Sequence, residues 1–139
     1  MKEPIWVLSE VVHALHDRLL SEFGGASGVR DDGMLESALS RPANQFGYSS
    51  PSIPELAAAY AFGLVRNDPF VDGNKRMGFA TAVLFLELNG YRFTASEVDA
   101  TVQTLALAAR DLDEAGYAAW LTANSKPIKA RSKGRKRLE

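Results

Sequence analysis

Asp68-Pro69-Phe70-Val71-Asp72-Gly73-Asn74-Lys75-Arg76 joins two apolar segments, and both the fold and the site turn on how it is read. On its N-terminal side, Leu56 through Leu64 is Ala-rich and apolar on several faces, the pattern of a central buried helix. Pro54 suits that helix's first turn, and Pro69 pushes Asp68 out of the α region, so the helix should end near Arg66-Asn67-Asp68. On the other side Met77, Ala80, Thr81, Val83, Leu84, Phe85 and Leu88 define a second central helix from Asn74 to Asn89, stopped by Gly90. Phe70, between polar neighbours, reads as an anchor into the core. Gly73 permits a positive φ or close backbone approach. Asn74, Lys75 and Arg76 then fall in a first helical turn, where free N–H groups and the helix dipole favour an anion. Lys75 and Arg76 add positive charge, and Asp72 is the kind of carboxylate that holds Mg²⁺ beside phosphate oxygens. Together these suggest a phosphate-plus-magnesium site; an ordinary Asp/Gly turn before a solvated Lys-Arg pair has the same letters.

Upstream, Ile5-Trp6-Val7 is long enough only for an edge strand or extended arm. Ser9 is a candidate cap for a helix whose Val12, Leu15, Leu19 and Phe23 share a core-facing stripe, and Gly24-Gly25 ends it. Asp31 or Asp32 should open a short helix carrying Met34, Leu35, Ala38 and Leu39, with Pro42 as its stop. Residues 42–53 carry turn formers, Phe46 and Tyr48, and read as a loop or short β-hairpin. Downstream, Tyr91-Arg92-Phe93 is a short extended link. Thr94-Ala95-Ser96-Glu97 predicts a capping box for a helix reaching Leu112, and Asp113 caps a last helix carrying Tyr117, Trp120 and Leu121. Trp6, Tyr117 and Trp120 read as packing residues, with a groove for a partner helix as the sharper alternative. His13 and His16 lie three apart without a third ligand and read as surface or boundary residues.

Composition bounds the rest. The chain has 139 residues, 46% hydrophobic and 24% charged, which suits one domain with a real core. It has no cysteine, which excludes disulfides and thiolate metal sites and is compatible with a reducing cytoplasm. No apolar run of about 18 residues is present, so no membrane span is expected, and the N-terminus lacks a signal-type apolar stretch. Nine basic and sixteen acidic residues fall in 1–125, against seven basic and one acidic in 126–139. The expectation is a domain over 1–125 and a basic, disordered tail over 126–139, with nucleic-acid contact as the tail's sharper reading.

Residues 68–76 resemble the Fic signature His-Pro-Phe-x-x-Gly-Asn-x-Arg, and more closely its Doc (death-on-curing toxin) variant, in which Lys follows Asn. The stretch Gly28-Val29-Arg30-Asp31-Asp32-Gly33-Met34-Leu35-Glu36-Ser37-Ala38-Leu39-Ser40-Arg41-Pro42 is similar to the Doc branch, as are His16-Asp17 and Phe85-Leu86-Glu87-Leu88-Asn89-Gly90. The resemblance covers residues 5–122. It implies an all-α Fic fold, a bundle of about six helices with a short β-hairpin flap. It implies that Phe70 anchors the loop, Asp72 binds Mg²⁺, Gly73 and Asn74 shape the anion hole, and Lys75 and Arg76 hold the triphosphate of ATP or another nucleoside triphosphate. Residues 42–53, with Phe46, Tyr48 and Ile53, would be the flap that docks the target by strand addition. The implied activity is that of a toxin moving a phosphate to a protein hydroxyl, with elongation factor Tu as the family's target and the C-terminal segment of a Phd-like antitoxin as neutralising partner.

Two departures qualify this. AMP-transferring relatives have Gly after the signature Asn and a second Arg three residues beyond the first; here Lys75 and Phe79 stand there, although Gly73 is their choice where Doc often has Ala. An AMP or other nucleotidyl transferase is therefore the alternative reading. The larger departure is Asp68, where the family has its histidine base. A base works best with a pKa near ambient pH, and Asp starts near 3.9 against about 6.5 for His. Reduced activity is expected; Asp68 reads as a weak base, a second magnesium ligand or an engineered change. A third reading is an inactive binding module or co-repressor whose tail touches DNA.

Overall fold

The computed structural model describes residues 2–128. Six helices appear in order: α1 (Ser9–Phe23), α2 (Asp32–Tyr48), α3 (Ile53–Asn67), α4 (Asn74–Leu88), α5 (Glu97–Ala108) and α6 (Glu114–Ala123). Strand β1 (Tyr91–Phe93) follows α4 and β2 (Ser125–Pro127) follows α6; they pair antiparallel, with Arg92 opposite Lys126. The all-α expectation stands. Among the described residues no helix is long and apolar enough to cross a membrane.

Helix α3 is the axis of the molecule, packed against α2, α4, α5 and α6. Its Ala-rich sequence explains this, because small side chains let several neighbours approach: Ala57, Ala58, Ala59 and Ala61 are all fully buried. Helix α4 packs tightly on α3 at Gly78, where an added Cβ would lie 2.8 Å from Val65 Cγ2. Tyr60 and Tyr117 are buried in this core, and burial raises both phenols, that of Tyr117 to about 12. Each keeps a partner: Tyr60 Oη accepts the Val7 N–H at 3.1 Å, and Tyr117 Oη meets Thr104 Oγ1 at 2.8 Å. Trp6 stacks on Phe85, and Trp120 packs on Tyr117 and Phe93, so these aromatics are packing residues.

Several local expectations are corrected. Ser9 is not the cap of α1; Leu8 holds that position without a side-chain hydrogen bond. Pro42 does not stop α2, which continues to Tyr48. Tertiary contact outweighs the lost backbone bond there: Pro42 is buried, Arg41 and Gln45 bond Glu114 of α6, and Phe46 packs edge-on against Trp6. Residues 42–48 are consequently helical, and the β-hairpin expected in 42–53 is absent; the sheet forms between β1 and β2 instead. Thr94 does not cap α5. Ser96 does, accepting the Asp99 N–H at 3.1 Å, while Thr94 bonds the Asn124 carbonyl, and α5 ends at Ala108 rather than Leu112. The expected tail boundary at residue 126 falls inside β2, and residues 129–139, which carry six of the tail's seven basic residues, lie outside the described residues.

Candidate functional site

The loop between α3 and α4 is built by three independent restraints. Helix α3 ends at Asp68, whose φ of 53° and ψ of 49° are left-handed, a conformation that Asp tolerates better than most residues. Phe70 then drops into the core, fully buried. Asn74 closes the loop from inside. Its Oδ1 accepts the Phe70 N–H at 2.9 Å, and its Nδ2 donates to the Phe70 carbonyl at 3.0 Å and to Asp68 Oδ1 at 2.7 Å. At 8% exposure Asn74 is a brace whose side chain is spent on the loop.

Residues 24–31 clasp the loop from outside, a contact that no local pattern announced. Arg30 N–H and Asp31 N–H donate to the Pro69 carbonyl at 2.7 and 3.1 Å, and Val71 N–H donates to the Gly28 carbonyl at 3.0 Å. The Arg30 guanidinium caps the open C-terminus of α3. It donates from Nε to the Asp68 carbonyl at 3.0 Å and from Nη2 to the Asp68 and Asn67 carbonyls, where a positive charge suits the helix dipole. It also pairs with Asp68 Oδ2 at 3.7 Å. Asp68 is thus exposed but engaged on both oxygens. Asp31 meanwhile caps α2 through the Met34 N–H at 3.0 Å.

Helix α4 starts at Gly73, left-handed at φ 84°, with no side chain capping its first N–H groups. Lys75 and Arg76 follow, both exposed, at a cavity of about 480 Å³ that is also lined by Asp72, Phe79, Thr101 and Leu105. The Asp72 carboxylate is held by two N–H groups, from Gly73 at 2.9 Å and Ala26 at 3.1 Å. The Arg76 guanidinium lies 4.3 Å above the Phe23 ring, a cation–π contact across the cavity from α1. Phe79 presents an aromatic wall, edge-on to Phe93 at 5.5 Å.

Of the expected residues, Asp72, Gly73, Asn74, Lys75 and Arg76 line one cavity, whereas Asp68 does not line it and is joined to it only through its bond to Asn74. The flap residues do not gather at a second feature. Tyr48 is 82% exposed at the end of α2, whereas Phe46 and Ile53 are partly buried against the core. Sequence reasoning missed Arg30 and misread two others: Phe23, expected in the core-facing stripe, is 56% exposed, and His16, expected at the surface or boundary, is buried. Helical spacing held a clue for His16: it stands four residues after Val12, on the face that is buried. Among the described residues no group of three or more His, Asp or Glu side chains could hold a metal by itself.

The family model described as Fic/DOC matches residues 6–86, which span α1 through most of α4. The chain belongs to the Fic/DOC family. The Fic/DOC match thus takes in the clasp, the loop and the start of α4 as one unit. The relatives include Toxin Doc of Mycolicibacterium smegmatis, 41% identical over 103 residues that cover 71% of this chain and 79% of that protein. They also include Protein kinase doc of Escherichia phage P1, 35% identical over 82 residues, 58% of this chain and 65% of that one.

Proposed function

We propose that this chain is a Doc-type toxin that transfers the γ-phosphate of ATP or another nucleoside triphosphate to a protein hydroxyl, with Asp68 limiting its rate. The observation that carries this reading is the uncapped α4 N-terminus bearing Lys75 and Arg76 beside the Asp72 carboxylate, all on one cavity. Free N–H groups, two cations and an acid on one rim are what a triphosphate with its metal requires. Asp72 fits Mg²⁺: two N–H bonds leave lone pairs free on an exposed carboxylate, and Mg²⁺ bound to phosphates needs only one or two protein carboxylates. Mg²⁺ held there would neutralise phosphate charge. Lys75 and Arg76 would hold the phosphate oxygens, and Arg76 would exchange its Phe23 contact for them.

Lys75, Phe79 and the name of the phage relative favour phosphate transfer over nucleotidyl transfer. Gly73, the one feature pointing the other way, has a backbone reason: φ of 84° favours glycine whatever the reaction. Phosphoryl transfer depends mainly on positioning and charge neutralisation, which suits a site with so few polar groups. The hydroxyl must still lose a proton, and an Asp carboxylate, here accepting one hydrogen bond from Asn74 and lying 3.7 Å from the Arg30 guanidinium, is a weaker base than the histidine of the family signature. In this reading the target is elongation factor Tu, reached from the side of exposed Tyr48, and the protein works in the cytoplasm. A Phd-like antitoxin segment would lie over the apolar lip formed by Phe23 and Leu105, both about half exposed.

Asp68→His tests the proposal. With γ-labelled ATP, Mg²⁺ and elongation factor Tu, label transfer should rise about 10²- to 10⁴-fold over the native chain, the usual worth of a positioned base. Label arriving only from the α-position would assign nucleotidyl transfer. Asp68 in place of the signature histidine favours a second reading, an inactive binding module, and that reading gains if the variant transfers nothing from either position.

A further inference from the structure

Among the described residues, His16 is the one ionisable side chain buried under the α3–α4 loop, at 4% exposure. Its Nε2 lies 2.8 Å from the Asp72 carbonyl oxygen. A carbonyl only accepts, so Nε2 carries the proton. The imidazole stacks on Phe70, centroids 3.9 Å apart and planes 21° from parallel, and a Cβ added at Gly73 would sit 3.7 Å from Nε2. The ring thus lies directly beneath the peptide that joins Asp72 to Gly73. His13, by contrast, is exposed and touches Phe70 only edge-on at 6.5 Å.

We infer that His16 is a positioning residue that sets the orientation of the Asp72–Gly73 peptide and, through it, the Asp72 carboxylate and the start of α4. The physical step is short. In a trans peptide the C=O and N–H point in opposite directions. With the Asp72 carbonyl held down toward α1, the Gly73 N–H is turned up, where it donates to Asp72 Oδ1 at 2.9 Å. The other oxygen, Oδ2, is then in place to accept the Ala26 N–H at 3.1 Å. Seven residues on, helix α1 reaches the cavity itself, where Phe23 supports Arg76. An apolar residue would fill the position of His16 but leave a carbonyl without its partner, which is costly in a buried setting. This inference draws on the nucleotide reading only for its consequence on binding.

The test uses the full chain with His16→Phe, which keeps the stack and removes the donor, and His16→Gln, whose carboxamide N–H reaches about as far as Nε2. Amide hydrogen exchange at Gly73 and Ala26 should quicken about tenfold in His16→Phe, the worth of one lost hydrogen bond, and return toward native in His16→Gln. Amides of α3 should stay unchanged. In titration calorimetry, ATP with Mg²⁺ should bind His16→Phe about tenfold more weakly, again with recovery in His16→Gln. Unchanged exchange at Gly73 and Ala26, an equal rise throughout α3, or no recovery with Gln overturns the inference. If the exchange pattern appears but native protein gives no heat with ATP and Mg²⁺, the brace stands and the nucleotide reading falls. If His16→Phe does not fold, the shorter His16→Asn replaces it. Gly73 and Ala26 should then exchange faster in Asn than in Gln, and equal rates overturn the inference.

Discussion

Helices α3 and α4 lie side by side in the core, yet they begin in opposite ways. At the start of α3, Ser52 Oγ accepts the Glu55 N–H at 3.2 Å, Glu55 Oε1 accepts the Ser52 N–H at 2.7 Å, and Pro54 occupies a position that needs no N–H. Every local device for closing a helix is present. At the start of α4 there is none: Gly73 offers no side chain, and the two residues after Asn74 are cations placed against the helix dipole. Local stability would select neither. The difference separates an end built to hold a helix together from an end kept open toward a cavity. What α4 lacks locally is replaced by contacts around its end, from Phe70 in the core, Ala26 on the clasp and His16 beneath.

If that replacement is real, removing the anchor should undo the α4 end first. Phe70→Ala is expected to cost about 3–5 kcal/mol in urea unfolding, since the ring is fully buried and stacked on His16. Native-state exchange should show the loss concentrated in residues 68–76 before it reaches α3. Opposed effects on binding and stability sharpen the contrast further. Lys75→Ala should weaken ATP–Mg²⁺ binding by about tenfold, one charge-assisted contact, while the midpoint of urea unfolding stays level or rises. A fall in stability would mean that Lys75 serves the helix and not a ligand. The smallest effect belongs to the closed end: Ser52→Ala should cost about 1 kcal/mol and leave nucleotide affinity untouched. A change in affinity there would show that the two ends are coupled and that the contrast is too simple.

Much of the fold could be read from particular residues. Pro54, Pro69 and Gly90 marked the limits of α3 and α4 correctly, and Asp113 caps α6 through the Gly116 N–H at 2.7 Å. The error at Pro42 has a clear cause. Proline's local cost was visible, whereas the contacts that offset it come from Glu114, more than seventy residues later. Thr94 and Ser96 are both plausible caps in sequence, and only the pairing of β1 with the segment after α6, which takes Thr94 to Asn124, decides between them.

Nearest-neighbour chemistry alone determined that residues 68–76 would form a buried anchor, a flexible glycine and a positively charged helical start, because those properties belong to Phe70, Gly73, Lys75 and Arg76 wherever they are placed. Only the tertiary structure decided that Asp68 would be tied to Arg30 and Asn74, that Asn74 would face inward, and that His16 would lie beneath Asp72. Two of those contacts, Arg30 with Asp68 and His16 with Asp72, join residues 38 and 56 positions apart. Their distances are set by how α1 and the 24–31 loop pack around the core, and no local propensity encodes them.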